Sequence, residues 1–162
     1  MIKGLVFDIG GVMLSNTMNS VIEYISTIFG LNTDETRSTI LKLAPDFEKG
    51  IISEEEFWNR FCMETGSELP ENYTDIWIKP YVENSRPNPE MFELVKALKS
   101  RGYKVAMLTN TIKPHMSYNR KREIYDIFDY KVISCEVGMR KPEREIYNFT
   151  LAMLHLPPDT CV

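Results

Sequence analysis

The feature that most constrains this chain is an apolar run that stops on a single carboxylate, Val6-Phe7-Asp8-Ile9-Gly10-Gly11-Val12. Ile2, Leu5, Val6 and Phe7 read as a buried strand. The strand ends on Asp8, and two glycines follow almost at once. This pattern places a carboxylate at a strand's carboxyl edge, where ligands bind in open α/β sheets. Glycines there let the backbone come close to a bound group and turn N–H donors toward it.

The 162 residues suffice for one ordinary domain, or for a small domain with an insertion. A hydrophobic content of 43% and a charged content of 26% describe a globular chain. The net charge of −4 argues against a nucleic-acid partner. The densest basic run, Arg120-Lys121-Arg122, reads as a solvated helix face. Cys62, Cys135 and Cys161 are odd in number and widely spaced, and His115 and His155 complete no zinc spacing. A reduced, cytoplasmic setting without structural zinc is the expectation. Asp8 interrupts the apolar N-terminus, which speaks against a signal peptide, and no run is long enough to span a membrane.

Along the chain, helical periodicity starts near Asn16. Val21, Ile22, Ile25, Ile28 and Phe29 share one face, and Gly30 ends that run. Thr33 or Asp34 is expected to cap a second helix that Pro45 ends. Ser53-Glu54-Glu55-Glu56 starts a third, with Phe57, Trp58 and Phe61 on one face as packing residues. A fourth is expected over 71–78. Alternating α/β signals resume after Pro87: a helix over 89–99, a strand over 103–108, a helix over 114–125, a strand over 131–134 and a helix over 142–154. The order implies a parallel sheet with right-handed crossovers, so the fold class is α/β with an all-helical insertion.

Three sites then fall at one edge of that sheet. Asp8 ends the first strand, Thr109-Asn110 ends the second, and Lys141 follows the third within Gly138-Met139-Arg140-Lys141-Pro142-Glu143. Asp8 also suits a turn and Thr109 a helix N-cap, but together with Lys141 they suit phosphoryl transfer. A carboxylate can attack phosphorus. An ammonium can hold both the nucleophile and the phosphate as a point charge. The Thr109 hydroxyl, the Asn110 N–H and the N–H groups of the Asp8–Gly10 loop, Ile9 included, can bind the phosphoryl oxygens. Of the neighbouring cations Arg140 and Lys141, one reads as merely solvated. His115 reads as a surface or capping histidine.

With VFDIGGV, MLTN and GMRKPEREIY in this order, the chain resembles the haloacid-dehalogenase-like hydrolase superfamily, in the subgroup with a small helical cap between the first two motifs. The resemblance implies a Rossmann-like core over 1–14 and 86–162 and a cap over 15–85. It implies Asp8 as nucleophile, Thr109 as phosphate ligand and Lys141, which stands before Pro142, as stabilising cation in preference to Arg140. Magnesium would be held by the Asp8 carboxylate and the Gly10 carbonyl. The substrate it implies is a small phosphorylated metabolite.

Two departures accompany the resemblance. Gly10 stands where family phosphatases usually carry a second aspartate as general acid and base, a role worth about 10²–10⁴-fold. The acidic fourth motif would follow the next strand, which starts at the last residues. The chain therefore reads as a fragment whose fourth strand is cut short. That leaves the outer side of the first strand open to self-association. Two other readings remain at this point: a metal-free dehalogenase in which Asp8 attacks carbon, and an inactive phosphate-binding module.

Overall fold

The computed structural model describes all residues, Met1–Val162. Three strands, β1 (Gly4–Phe7), β2 (Lys104–Thr109) and β3 (Tyr130–Ile133), form a parallel sheet in the order β1-β2-β3. Phe7 lies opposite Met107, and Thr109 lies opposite Ile133. Side chains alternate across the sheet. Leu5, Phe7, Val105, Met107 and Ile133 pack on one face with Val95 of α5 (Pro89–Ser100) and with Tyr125 and Phe128. Val6, Leu108 and Val132 pack on the other with Ile146 of α8 (Arg144–Leu154). Burial on both faces explains why β2 reads as a continuous apolar run.

Four helices are inserted between β1 and α5: α1 (Met18–Phe29), α2 (Thr33–Glu48), α3 (Glu54–Thr65) and α4 (Asp75–Asn84). Their interior is aromatic. Trp58 meets Phe61 edge-on at 5.5 Å, and Phe57 meets Trp77 edge-on at 5.2 Å. Such pairs add about 0.5–1.5 kcal/mol each beyond their buried area. Ser53 Oγ accepts the Glu56 N–H at 3.0 Å and starts α3 as the sequence implies.

Several boundaries differ from the sequence expectation. Asn32, not Thr33 or Asp34, caps α2, its Oδ1 accepting the Glu35 N–H at 2.8 Å. Pro45 does not end α2, which continues to Glu48. A helical proline deprives the carbonyl four residues back of its donor. Here that carbonyl belongs to Leu41, an exposed residue that water can reach. Helix α4 starts late, at Asp75, and runs through a buried Pro80 to Asn84, held by packing rather than propensity. Helix α6 (Lys113–Lys121) stops before Tyr125, because Glu123 turns left-handed at φ 57°. A short helix, α7 (Ser134–Val137), follows β3 directly. The last helix begins at Arg144, two residues after Pro142.

The outer side of β1 is partly paired, a correction to the open edge expected there. Gly4 bridges Cys161 in parallel, and Lys3 N, Val6 N and Val162 N bond Thr160 O, Val162 O and Gly4 O at 2.8, 2.7 and 3.1 Å. The final residues therefore lie beside β1 where the sequence analysis expected a fourth strand to start.

The helical insertion is pinned to the sheet side at the end of α2. Glu48 pairs with Arg140 at 2.8 Å, and Lys49 pairs with Glu143. Between them and α3, Gly50 has φ 69°, and a Cβ there would lie 2.6 Å from the Cys135 carbonyl oxygen of α7. Gly50→Ala therefore combines backbone strain with a clash against backbone. It is expected to destabilise by about 2–4 kcal/mol, against about 1 kcal/mol for Gly30→Ala, where space is open. Urea melts of the two variants check the difference.

Stability also depends on Glu54, in the first turn of α3. Burial pushes its carboxyl up from 4.5 to about 7, with the Trp58 indole opposing and Asp75 adding to the rise. Between pH 4.5 and about 7 the folded chain holds a proton that the unfolded chain has released, so this group's contribution falls as pH rises through that window. Glu54→Gln is expected to gain on the parent chain in thermal melts at pH 8 relative to pH 4.5.

Candidate active site

The site grows from the carboxyl ends of β1 and β2. After Phe7 the chain leaves the sheet at Asp8, and the Ile9 carbonyl gathers the N–H groups of Val12, Met13 and Leu14 at 3.3, 3.0 and 2.9 Å. This tight loop needs Gly11 at φ 80°, a conformation that disfavours a side chain. The Gly10 carbonyl accepts no hydrogen bond in the loop.

The structure brings the predicted residues together. Asp8 Oδ2 lies 2.9 Å from Lys141 Nζ, and Asp8 Oδ1 accepts the Ile9 N–H at 2.7 Å. The Asp8 side chain is 43% exposed and that of Lys141 22%, so the pair is open to a ligand. Thr109 is buried at the end of β2, and its hydroxyl makes only a long 3.4 Å contact to the Asn110 carbonyl.

Asn110 does more than its sequence position suggested. Its Nδ2 donates to the Lys141 carbonyl at 2.9 Å, and its Oδ1 accepts the Lys141 N–H at 2.8 Å. The side chain thus ties the third motif to the end of β2 and sets the lysine's backbone. Next to it, Ser134 Oγ accepts the Thr111 N–H at 2.9 Å and donates to the Thr111 carbonyl at 3.1 Å. Neither clamp has a motif by which sequence could find it.

Arg140 is not solvated as expected. It is held by Glu48 of α2, whose carboxyl burial raises despite the opposing arginine. His115 is half-buried rather than exposed. It lines the cavity beneath the helical insertion, stacked on Tyr81 at 3.8 Å with Nε2 3.0 Å from the Trp77 carbonyl. Burial lowers its pKa to about 4 against the opposing carbonyl, so the ring is neutral at pH 7 and its Nε2–H donates to Trp77.

That cavity has a volume of about 210 Å³ and lies between the sheet edge and α1–α4. Its lining includes Ile9, Gly10, Thr109 and Asn110 together with Val21, Phe47 and Trp77, and does not include Asp8 or Lys141. A second cavity of about 370 Å³ runs from Asp8 and Lys141 along Val6 and Leu108 to α8.

Two oxygens here suit a hard cation, the Asp8 carboxylate and the unpaired Gly10 carbonyl. Magnesium is usually held by one or two carboxylates together with phosphate and waters, so the pair fits as part of a site. No further carboxylate, thiolate or imidazole gathers with them into a group of three. No helix is long and apolar enough to cross a membrane.

Comparison with known proteins places the chain in a family. A sesquiterpene phosphatase of Aspergillus oryzae is 28% identical over 155 residues, covering 94% of this chain and 74% of that protein. The bifunctional epoxide hydrolase 2 of Mus musculus is 30% identical over 122 residues, covering 72% of this chain but only 22% of that protein. A haloacid dehalogenase family enzyme of Bacteroides thetaiotaomicron, solved with magnesium and inorganic phosphate, superposes with a TM-score of 0.76 at 23% identity over 99% of this chain and 83% of that one. The family model for haloacid dehalogenase-like hydrolases matches residues 2–162. With the parallel sheet, the Asp8 loop and the Lys141 segment all inside that span, the chain belongs to the haloacid dehalogenase-like hydrolases.

Proposed function

We propose that this chain hydrolyses a phosphomonoester of a small organic molecule through an aspartyl phosphate on Asp8. The observation that carries the reading is the 2.9 Å contact between Asp8 and Lys141, beside the Thr109 hydroxyl at the sheet's carboxyl edge. The phosphatase from Aspergillus and the phosphate bound to the Bacteroides enzyme support it.

In this mechanism Lys141 screens the approach of one anion to another, and Asn110 holds the lysine's backbone in place. An Asp8 oxygen attacks phosphorus while the ester P–O bond breaks. The Thr109 hydroxyl and the Gly10 and Asn110 N–H groups hold the phosphoryl oxygens, while the Ile9 N–H, expected from the sequence to join them, holds Asp8 Oδ1 instead. The leaving oxygen takes its proton from water, since Gly10 offers no acid. Water then attacks the aspartyl phosphate at phosphorus, which releases inorganic phosphate and restores the Asp8 carboxylate. Magnesium, held by the Asp8 carboxylate and the Gly10 carbonyl, would supply positive charge against the phosphoryl oxygens.

Asp8→Asn is expected to lower kcat on an aryl phosphate by about 10⁴-fold or more, with the melting temperature little changed. Asn110→Ala is expected to cost about 10²-fold through a displaced Lys141. Steady-state assays with added magnesium check both, and full turnover by Asp8→Asn overturns the nucleophile assignment.

The glycine at position 10 has a kinetic signature. Aryl phosphates should exceed alkyl phosphates by about 10²–10⁴-fold in kcat/KM, the contribution of a general acid that only the poorer leaving group needs. A flat plot of log kcat/KM against leaving-group pKa would show that another group donates the proton.

A further inference from the structure

We infer that Arg140 is a positioning residue for the reaction, which by occupying Glu48 leaves the Lys141 ammonium to Asp8 and the phosphoryl group; this rests on the phosphomonoester reading above. Three cations and three carboxylates surround the loop that carries Lys141, and each cation takes one carboxylate. Lys141 Nζ lies 2.9 Å from Asp8, Arg140 Nε donates to Glu48 at 2.8 Å, and Lys49 pairs with Glu143. Glu143 also accepts the Arg140 backbone N–H at 3.2 Å. Two neighbouring side chains of one loop thus diverge. Arg140 and Glu48 line the cavity beneath α1–α4, while Lys141 and Asp8 line the second cavity.

The reciprocal Asn110 bonds hold the Lys141 N–H and carbonyl but leave its four-carbon stem free to turn. Its ammonium is a point charge and goes to the carboxylate that attracts it most. By burial that carboxylate is Glu48. The Glu48 side chain is 18% exposed against 43% for Asp8, and a charge attracts more strongly where less water screens it. Burial raises the Glu48 carboxyl, and the charges of Arg140 and, more weakly, Lys141 oppose the rise, so the lysine's field already reaches this group.

A buried carboxylate stripped of its cation is strongly unfavourable, and the next cation within reach relieves it. Arg140, always charged, meets that demand from the position next to Lys141. Glu143 is the weaker competitor, since its side chain is 33% exposed and Lys49 already holds it.

Arg140→Gln, Glu48→Gln and the double variant separate this role from a mere tie between α2 and the loop. A tie is broken equally from either end. Competition is not: Arg140→Gln frees Glu48 to draw Lys141 away, whereas Glu48→Gln removes the competitor. With p-nitrophenyl phosphate and magnesium, Arg140→Gln is expected to lower kcat/KM by about 10²-fold. Arg140→Lys, which keeps a cation on Glu48, and the double variant, which has neither charge, are expected to stay within about fivefold of the parent chain, as is Glu48→Gln. Crystal structures of the parent and of Arg140→Gln read the same contact without turnover, Lys141 moving from Asp8 to Glu48 in the variant. A parent-like Arg140→Gln, equal losses in Arg140→Gln and Glu48→Gln, or a double variant as impaired as Arg140→Gln overturns this inference and leaves the phosphomonoester reading standing. Lys141 still on Asp8 in Arg140→Gln overturns it as well. No hydrolysis by the parent, with Lys141 moved to Glu48 in the variant, overturns the phosphomonoester reading and leaves the division of charges standing. No hydrolysis and no movement overturns both. If Arg140→Gln does not fold, the double variant decides: parent-like turnover upholds Arg140 as the counter-charge of Glu48, and its loss overturns that role.

Discussion

Parallel pairing of β1 with β2 is the constraint on which the site depends. Because Phe7 lies opposite Met107, Asp8 and Thr109 leave the sheet at one edge. Parallel order also requires a long crossover between the two strands, and the chain uses that crossover to carry α1–α4. The same pairing that aligns the chemistry therefore places a helical block above it. Beyond the sheet's end no strand pairing remains to position the third motif. The reciprocal bonds between the Asn110 side chain and the Lys141 backbone do that work, at 2.9 and 2.8 Å.

The neighbouring cations Arg140 and Lys141 face different demands. Arg140 is drawn to Glu48 and joins the helical block to the site loop. Lys141 reaches Asp8, and its charge is felt more weakly at Glu48. With one carboxylate for each cation, neither competes for the other's partner. The two cations are about equally buried, but the carboxylates differ, Glu48 being 18% exposed and Asp8 43%. A half-exposed pair contributes little to stability. The placement of Asp8 and Lys141 makes sense as preorganised charge at a site a ligand can enter.

What the sequence disclosed follows from how local each signal is. The apolar run ending on Asp8, the buried KVAML strand and the Ser53 capping box are set within a few residues, and each predicted its element. The meeting of Asp8, Thr109 and Lys141 was legible because parallel strands fix which ends coincide. The helix through Pro45 was not legible, since only tertiary context shows that Leu41, whose carbonyl loses its donor, lies at the surface. The same holds for Arg140 and His115. A charge and an imidazole read as solvated until the fold supplies Glu48 for one and the Tyr81 face for the other. The clamps of Asn110 and Ser134 join segments some twenty to thirty residues apart through side chains with many possible partners, so no spacing rule reveals them.

The helical block carries two burdens in one set of side chains. Phe47, Phe57 and Trp77 pack against one another at 4.8 to 5.8 Å and also line the cavity that opens on Gly10. A change that widens the cavity removes contacts from the interior of the block, at a cost that grows with the void left behind. A change that fills it improves packing but closes the space beside the phosphoryl end.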